Sequence, residues 1–436
     1  MIIKNSLKVH LLLLVIATFF GCSTPSNKES DAQVTKAEIR MTDQGYRIFL
    51  NGEPFYVKGA GVGQSSKVED LVLHGANAAR TWSTHHGEEI LDLAYENGLK
   101  VVMGIWIVPE RLGADFDDED YVKEQFEQVR EKVLELKDHP ALMCWAIGNE
   151  LNHHAHNPKV WDAVNDISKM IHEVDPNHLT TTTLAGFNPE LVKQLETRAP
   201  DLDFYSIQLY GPIDQMEAII DSAGYNGPLL VTEWGATGYW EVPKTAWGAP
   251  IENQSSKKAD LYLSRYQNAI VGQTRQVMGS FVFLWGNKQE RTPTWFGMHL
   301  PDGTETEAVD MMHYAWKGEW PTNRTSRLSQ FTIDGKQPAD NIKLKAGQTY
   351  TAQVDISDPD SDPLTYRWEV MEESTSNKTG GDAEEVPATI EGLFMPDAHS
   401  MATFQAPDTP GAYRLFVYVY DSNNHAAHAN IPFWVD

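Results

Sequence analysis

Residues 229–235 read LLVTEWG, and this stretch decides the fold class. Its first three residues are apolar and therefore place apolar side chains on both faces of a strand, which is typical of a parallel sheet covered by helices. Other short apolar runs between about residues 39 and 320 resemble it. The eight predicted strands are 55–61, 77–82, 100–107, 142–150, 178–184, 203–210, 228–234 and 277–285.

Amphipathic stretches separate the predicted strands, with apolar residues spaced by three and four. Eight is the number of strands that closes a (β/α)8 barrel, or TIM barrel. A doubly wound open sheet is the alternative, but no Gly-rich phosphate loop follows the first strand. We therefore expect an α/β fold with a TIM barrel over residues 37–320, introduced by a hairpin at 46–54 with an Asn51-Gly52 turn. The predicted helices cover 87–97, 121–137, 161–174, 189–198, 213–223 and 257–276.

The pattern changes after residue 320 to short alternating strands at 352–356, 364–370 and 413–420. This predicts a small all-β sandwich over residues 328–436. The DPDSDPL turn at 358–364 and the PGAY corner at 410–413 resemble immunoglobulin-like domains of the polycystic-kidney-disease type. A carbohydrate-binding role is open for this domain, and a rigid spacer is favoured. Its acidic turn is interpreted as solvated, with calcium binding as the alternative, through Asp355, Asp358, Asp360 and Asp362.

The amino terminus has the features of an export signal. Lys4 and Lys8 precede an apolar run at 11–20 that is too short to span a bilayer. The run ends at Gly21-Cys22 and polar residues follow, an order that resembles a bacterial lipoprotein lipobox. We expect a signal peptide at 1–21, a lipid on Cys22 and a linker at 22–36. The mature protein would be anchored in the bacterial cell envelope, at the outer membrane or cell surface, with a free secreted protein as the alternative.

Composition narrows the possible partners. The formal net charge is −26, so phosphate backbones and anionic membrane surfaces would be repelled. Nucleic acid is therefore excluded as a partner, and a neutral polysaccharide suits the chain better than a highly anionic one. Once residues 1–21 are removed and Cys22 carries lipid, Cys144 has no disulfide partner and is interpreted as a buried core residue.

Two glutamates end predicted strands at the mouth of the barrel. Glu150 closes the run at 142–150, and Glu233 closes the run at 228–234. The reacting groups of TIM barrels lie at the carboxyl ends of the strands. Hydrolysis of a glycosidic bond needs one carboxyl group to protonate the leaving oxygen and another to attack the anomeric carbon. The fourth and seventh strands face each other across a barrel, so the pair fits this requirement.

The strings around the two glutamates are more specific. Gly148-Asn149-Glu150 and Thr232-Glu233-Trp234-Gly235 resemble the signatures of glycoside hydrolase clan A, which includes families 2 and 5. The resemblance implies a retaining double displacement in which Glu150 is the acid/base and Glu233 is the nucleophile. It also implies that Asn149 contacts the sugar 2-hydroxyl.

The same resemblance assigns further positions. Arg80 matches the clan arginine that supports the nucleophile, and Tyr210 and Trp285 match the clan tyrosine and the sugar-platform tryptophan. Gln208 is a departure, because many clan members have a histidine two residues before the tyrosine. Trp106 follows the third strand and is expected to line the cleft, as are Tyr239, Trp240, Trp247 and Trp295. His153, His154 and His156 are interpreted as polar lining and not as a zinc site, so neither a metal nor another cofactor is expected.

These observations predict a retaining glycoside hydrolase that cleaves a β-linked neutral polysaccharide or oligosaccharide. Residues 55–59 and 77–82 look similar to clan members that act on β-1,3-glucan, which favours that polymer. Two alternatives remain open. One is a transglycosylase, in which a sugar acceptor replaces water, and the other is a non-catalytic glycan-binding lipoprotein.

Overall fold

The computed structural model describes residues 33–63, 66–273, 275–396 and 398–436, and residues 34–436 form one compact unit. The predicted signal peptide, Cys22 and most of the predicted linker at 22–36 lie outside the described residues. Within the described part of the chain, no helix is both long and apolar enough to cross a membrane.

The chain begins with a small antiparallel sheet that closes the bottom of the barrel. Its strands are β1 (Ala37–Thr42), β2 (Gly45–Leu50) and β3 (Glu53–Phe55). Asn51 and Gly52 join β2 to β3 with φ of 51° and 90°, the left-handed pair that a tight hairpin turn needs. Ile48 and Leu50 of this sheet are buried in the cluster formed by the amino-terminal ends of the barrel strands. The predicted hairpin and its place are confirmed.

In the described residues, eight parallel strands close into a barrel in the order β10-β11-β4-β5-β6-β7-β8-β9. Each matches a predicted strand to within a few residues, so the TIM-barrel prediction is confirmed. The strands are β4 (Val57–Val62), β5 (Ala78–Arg80), β6 (Lys100–Ile105), β7 (Leu142–Asn149), β8 (Leu179–Ala185), β9 (Phe204–Gln208), β10 (Leu229–Trp234) and β11 (Val277–Trp285).

Helices cover the barrel, and two of them were not predicted. The first unpredicted helix has only six residues, and the last buries charged residues such as Glu307 and Asp310 together with apolar ones. Cys144 on β7 is buried, as expected. The helices are α1 (Val68–Leu73), α2 (Gly87–Glu96), α3 (Glu119–Leu136), α4 (Val160–Val174), α5 (Pro189–Arg198), α6 (Met216–Ala223), α7 (Ser255–Arg265) and α8 (Glu307–Lys317).

The remaining strands form two sheets that share one apolar core, in which Phe331 of one sheet and Val417 of the other are buried. Over the described residues, the sheet orders are β12-β14-β16 and β13-β18-β17-β15, which is the predicted sandwich. The strands are β12 (Arg327–Ile333), β13 (Lys343–Leu344), β14 (Thr349–Ser357), β15 (Thr365–Glu372), β16 (Met401–Gln405), β17 (Gly411–Tyr420) and β18 (Ala426–Val435).

The sandwich packs directly on the barrel. Asn430 Nδ2 donates to Glu252 Oε2 at 2.6 Å, and the His428 backbone N–H donates to Ser255 Oγ at 3.0 Å. These groups are buried, so the contact between the two parts excludes solvent here. Its role as a spacer or as a carbohydrate-binding domain stays a prediction.

The acidic turn of the sandwich ties it to the segment that follows α8. Asp358 and Asp362 lie close to Asp421, whereas Asp355 is not part of this cluster. Asp358 Oδ2 accepts a hydrogen bond from Ser326 Oγ at 2.9 Å, and Asp360 Oδ2 accepts one from the Arg324 N–H at 2.8 Å. The turn acids therefore act as hydrogen-bond acceptors for the connection between the barrel and the sandwich.

The contact between sandwich and barrel depends on Arg414. Its guanidinium is 2% exposed, pairs with Glu373 at 2.8 Å and donates to the Pro250 carbonyl at 2.9 Å. We expect Arg414→Ala to lower the free energy of unfolding by about 3–5 kcal/mol, because it leaves a buried carboxylate unpaired. Urea denaturation measures this. Lys132→Ala, which breaks an exposed pair with Glu135, should cost less than about 1 kcal/mol, and equal losses would contradict the prediction.

Candidate active site

A cavity of about 1010 Å³ opens at the carboxyl ends of the barrel strands, and both Glu150 and Glu233 line it. Glu233 is part of β10, and Glu150 directly follows β7. Barrel closure therefore brings together the two glutamates that the sequence singled out. The aromatic residues that line the cavity are Trp82, Trp106, Tyr210, Tyr239, Trp240, Phe283 and Phe296.

The Glu233 carboxylate is held by hydrogen-bond donors from several strands. Oε1 accepts from Arg80 Nη1 at 2.7 Å, from Trp82 Nε1 at 2.6 Å and from Gln208 Nε2 at 3.1 Å. Oε2 accepts from the Tyr210 hydroxyl at 3.0 Å. Donors aimed at a carboxylate stabilise its ionised form and fix its orientation.

Asn149 belongs to the same network. Its Oδ1 accepts from Arg80 Nη2 at 2.6 Å, from Gln208 Nε2 at 2.8 Å and from Thr183 Oγ1 at 3.0 Å. These donors fix the side-chain amide with its Nδ2 on the opposite side. Gln208, the departure from the clan pattern, thus bridges Asn149 and Glu233 with one amide group.

Glu150 is in a different electrostatic environment. It has a φ of 50°, and its backbone N–H donates to the Thr183 carbonyl at 2.9 Å. Burial, and secondarily the charge of Glu233, raise the pKa of Glu150 to about 8. The Glu150 carboxyl is therefore protonated at neutral pH, whereas the donors around Glu233 stabilise a carboxylate.

The sandwich supplies part of the cavity wall through residues 377–382, which lie between β15 and β16. Arg111, after β6, forms an ion pair with Asp382 at 3.1 Å. On another side, Lys288 Nζ donates to the Gly381 carbonyl at 2.7 Å and pairs with Glu290 at 2.9 Å. Sequence reasoning missed this wall, because no local pattern links residues 377–382 to a barrel rim more than ninety residues away.

The other predicted residues fall into two groups. Trp106 lines the cavity with 44% of its surface exposed, and His153 and His154 line it as well. Trp285 does not line it, which corrects its prediction as a sugar platform: the side chain is fully buried and packs against His74 and His299.

Other aromatic positions also differ from expectation. Phe283, on the same strand as Trp285, presents its ring to the cavity instead, while Trp295 is buried and Trp247 lies outside the cavity wall. Trp82 was not singled out, although the strand-end rule that identified Glu150 applies to it equally.

The chain resembles proteins of known type. Residues 47–240 match the family model described as glycosyl hydrolases family 2, TIM barrel domain. A β-glucuronidase from Sus scrofa is 31% identical over 145 residues, which cover 29% of this chain and 22% of that protein. A probable mannan endo-1,4-β-mannosidase C from Aspergillus terreus is 27% identical over 179 residues, which cover 34% of this chain and 43% of that protein.

A solved structure of a β-glucuronidase from Bacteroides uniformis has the same fold, with a TM-score of 0.51 at 15% identity over 92% of this chain and 48% of that one. The chain thus spans less than half the length of each of these three relatives. The family 2 match includes both Glu150 and Glu233. The preference for β-1,3-glucan gains no support from these relatives.

The raised pKa of Glu150 predicts a basic limit to activity. Below pH 8 the carboxyl is protonated and can act as an acid, and above pH 8 it loses the proton. We expect kcat/KM for an aryl β-glycoside to fall as pH rises through about 8. In Glu150→Gln, the residual kcat/KM on an activated substrate should no longer fall above pH 8. If kcat/KM of the variant still falls at the same pH, the titrating group is not Glu150.

The indole of Trp82 is expected to contribute to the rate through its hydrogen bond to Glu233. Trp82→Phe keeps an aromatic side chain and loses a hydrogen bond to a charged group, worth about 1.5–3 kcal/mol. We expect kcat/KM to fall by about 10- to 150-fold. Trp320→Phe is the control, since Trp320 stacks on Tyr314 outside the cavity wall. An equal fall in kcat/KM for the two substitutions would show that the hydrogen bond from Trp82 to Glu233 does not contribute to the rate.

Proposed function

We propose that this protein is a retaining β-glycosidase in which Glu233 is the nucleophile and Glu150 is the acid/base. One observation carries the proposal: two carboxyl groups line a single cavity in opposed environments. Glu233 is surrounded by donors that favour its charge, and burial keeps Glu150 protonated at neutral pH. Glycoside hydrolysis requires this division of roles, and the retaining course is proposed from the resemblance of the strings around the two glutamates to clan A.

In the first step Glu233 attacks the anomeric carbon and forms an ester with the sugar. The bond to the leaving oxygen breaks, and the proton of Glu150 moves to that oxygen. In the second step the Glu150 carboxylate takes a proton from water, whose oxygen attacks the anomeric carbon and releases Glu233. Each step inverts the anomeric centre, so the overall reaction retains its configuration.

The neighbouring side chains position these groups. Arg80 and Trp82 hold the attacking carboxylate of Glu233 in place. The Tyr210 hydroxyl, 3.0 Å from Glu233 Oε2, holds the other oxygen. Asn149 is proposed to donate its Nδ2 to the sugar 2-hydroxyl, because donors on its Oδ1 fix the amide. The aromatic cavity lining, with Trp106 at 44% exposure, suits the apolar faces of sugar rings.

A neutral β-linked sugar is the proposed substrate. The described acidic residues of the cavity wall are Glu150, Glu233, Glu241, Glu290 and Asp382, against the cationic Arg111, Lys288 and Lys378. Two of these cations are already paired with acids. A β-glucuronide is the second candidate, favoured by the names of several relatives and by Lys378, which donates to a backbone carbonyl and not to a carboxylate.

Sequence alone supports the proposed location. We propose that the chain is exported and lipid-anchored through Cys22 in the bacterial cell envelope, on the basis of residues 1–30.

The proposed reaction is tested with aryl β-glucoside, β-mannoside, β-galactoside and β-glucuronide, and with β-1,3-glucan and β-mannan. We expect hydrolysis of at least one neutral β-linked substrate, a β-configured first product by NMR, and a loss of about 10²- to 10⁴-fold in Glu150→Ala. Glu233→Ala should lose more, because the covalent step itself is removed. Glu217→Gln, on the exposed face of α6, should leave the rate unchanged.

Other outcomes would decide against the proposal or refine it. An α-configured first product would exclude a retaining mechanism. Cleavage of the glucuronide alone would establish the second candidate. Sugar transfer in preference to hydrolysis would indicate the transglycosylase, and binding without cleavage by wild type and both variants would indicate a glycan-binding protein.

A further inference from the structure

Outside the active-site cavity, a cluster of buried and partly buried ligand-type side chains lies where the barrel meets the sandwich. Glu305, in the connection between β11 and α8, is at its centre. Its Oε2 is 3.7 Å from His74 Nε2, after α1, and 3.6 Å from His425 Nε2, in the connection between β17 and β18. Asp70, His299 and Glu305 also each offer a ligand atom within 4.8 Å of the other two. None of these five residues belongs to the wall of the active-site cavity.

The separations within the cluster are too long for good hydrogen bonds, which span about 2.7–3.2 Å between heavy atoms. They are close to the spacing of ligands around a metal ion. Two ligand atoms at about 2.0–2.2 Å from a tetrahedral zinc ion are about 3.3–3.6 Å apart. The distances of 3.6 and 3.7 Å from Glu305 Oε2 to two imidazole nitrogens reach or just exceed the upper end of that spacing. The ligand atoms of Asp70, His299 and Glu305 form a group of three within 4.8 Å of one another.

His299 supplies an independent observation. Its side chain is 4% exposed, and neither ring nitrogen has a hydrogen-bond partner among the described residues. A neutral imidazole has one donor and one acceptor, and a buried polar group without a partner is destabilising. Trp285 packs against this ring at 5.2 Å between centroids and fixes its position. A metal ion bound to one of its nitrogens would account for a buried imidazole held in this way.

The outer contacts of His425 hold its ring against Glu305. Its Nδ1 lies 2.7 Å from Asn323 Oδ1 and 3.1 Å from Asp421 Oδ2, so Nδ1 carries a hydrogen and donates. Its Nε2 faces Glu305 Oε2 at 3.6 Å. His425 therefore ties the sandwich to the carboxylate of Glu305, beside Asp70 and His299.

We propose that Asp70, His299 and Glu305 bind a zinc-type divalent transition-metal ion, with His74 and His425 lying beside Glu305. An imidazole nitrogen with two carboxylate oxygens suits zinc, whereas calcium and magnesium prefer oxygen alone. The ion would join α1 to the connection between β11 and α8, and Glu305 would link that site to His425 of the sandwich. The role is structural, and it is independent of the proposed glycosidase activity.

The experiment uses the full chain without a histidine tag, stripped with EDTA and then given Zn²⁺. Mass spectrometry of metals should find about one zinc per chain, and zinc at a hundredfold excess over Kd should raise Tm by about 3 °C. Equal concentrations of Ca²⁺ or Mg²⁺ should give no comparable shift. The wild-type protein alone can overturn the proposal. It would do so if it bound no stoichiometric zinc and if zinc did not raise its Tm.

Variants then assign the ligands. Glu305→Gln keeps the shape of the side chain and His299→Gln keeps it polar, and each should lose both the bound zinc and the zinc-dependent rise in Tm, whatever its own basal Tm. His172→Gln is the matched control, since His172 forms a His–carboxylate pair with Asp203 at 3.0 Å elsewhere, and it should retain the zinc. Zinc kept by both ligand variants, or lost equally by the control, would show that the cluster is an ion-pair network and that the zinc lies elsewhere.

Discussion

The charge of Glu233 is the constraint on which the carboxyl-terminal rim of the barrel depends. A carboxylate that is 6% exposed persists only if surrounding donors replace the water it has lost. Arg80 comes from β5 and Gln208 from β9, so the donors converge only because the sheet closes on itself. The network therefore connects strands that are distant in sequence through the two carboxylate oxygens of Glu233. Barrel closure brings the donors together, and the donors stabilise the charge.

The second carboxyl has the opposite surroundings. Glu150 directly follows β7, which is separated from β10 by two strands, and there burial and the charge of Glu233 disfavour a second negative charge. Burial and, secondarily, the charge of one carboxylate thus keep the other one neutral, so that a single arrangement produces both an attacking group and a proton donor. The proposed chemistry follows from this asymmetry more than from the presence of two glutamates.

The sandwich is part of the same structure and not an appendage. Its segment 377–382 forms a wall of the cavity, and Arg414 and Asn430 make buried polar contacts with the barrel. The cluster around Glu305 lies at the same junction. Each of these contacts couples the position of the sandwich to the barrel, so the geometry of the cavity depends on both parts.

The barrel, the sandwich and the two glutamates could be predicted from the sequence, because strand periodicity, helix spacing and strand-end residues such as Glu150 are local patterns. Trp82 and the wall at 377–382 were not identified in this way, and Trp285 was expected in the cleft, where the structure instead has Phe283. These points depend on tertiary packing. Which face a side chain presents, and which distant segment covers it, depend on contacts between residues such as Arg111 and Asp382 that no local pattern encodes.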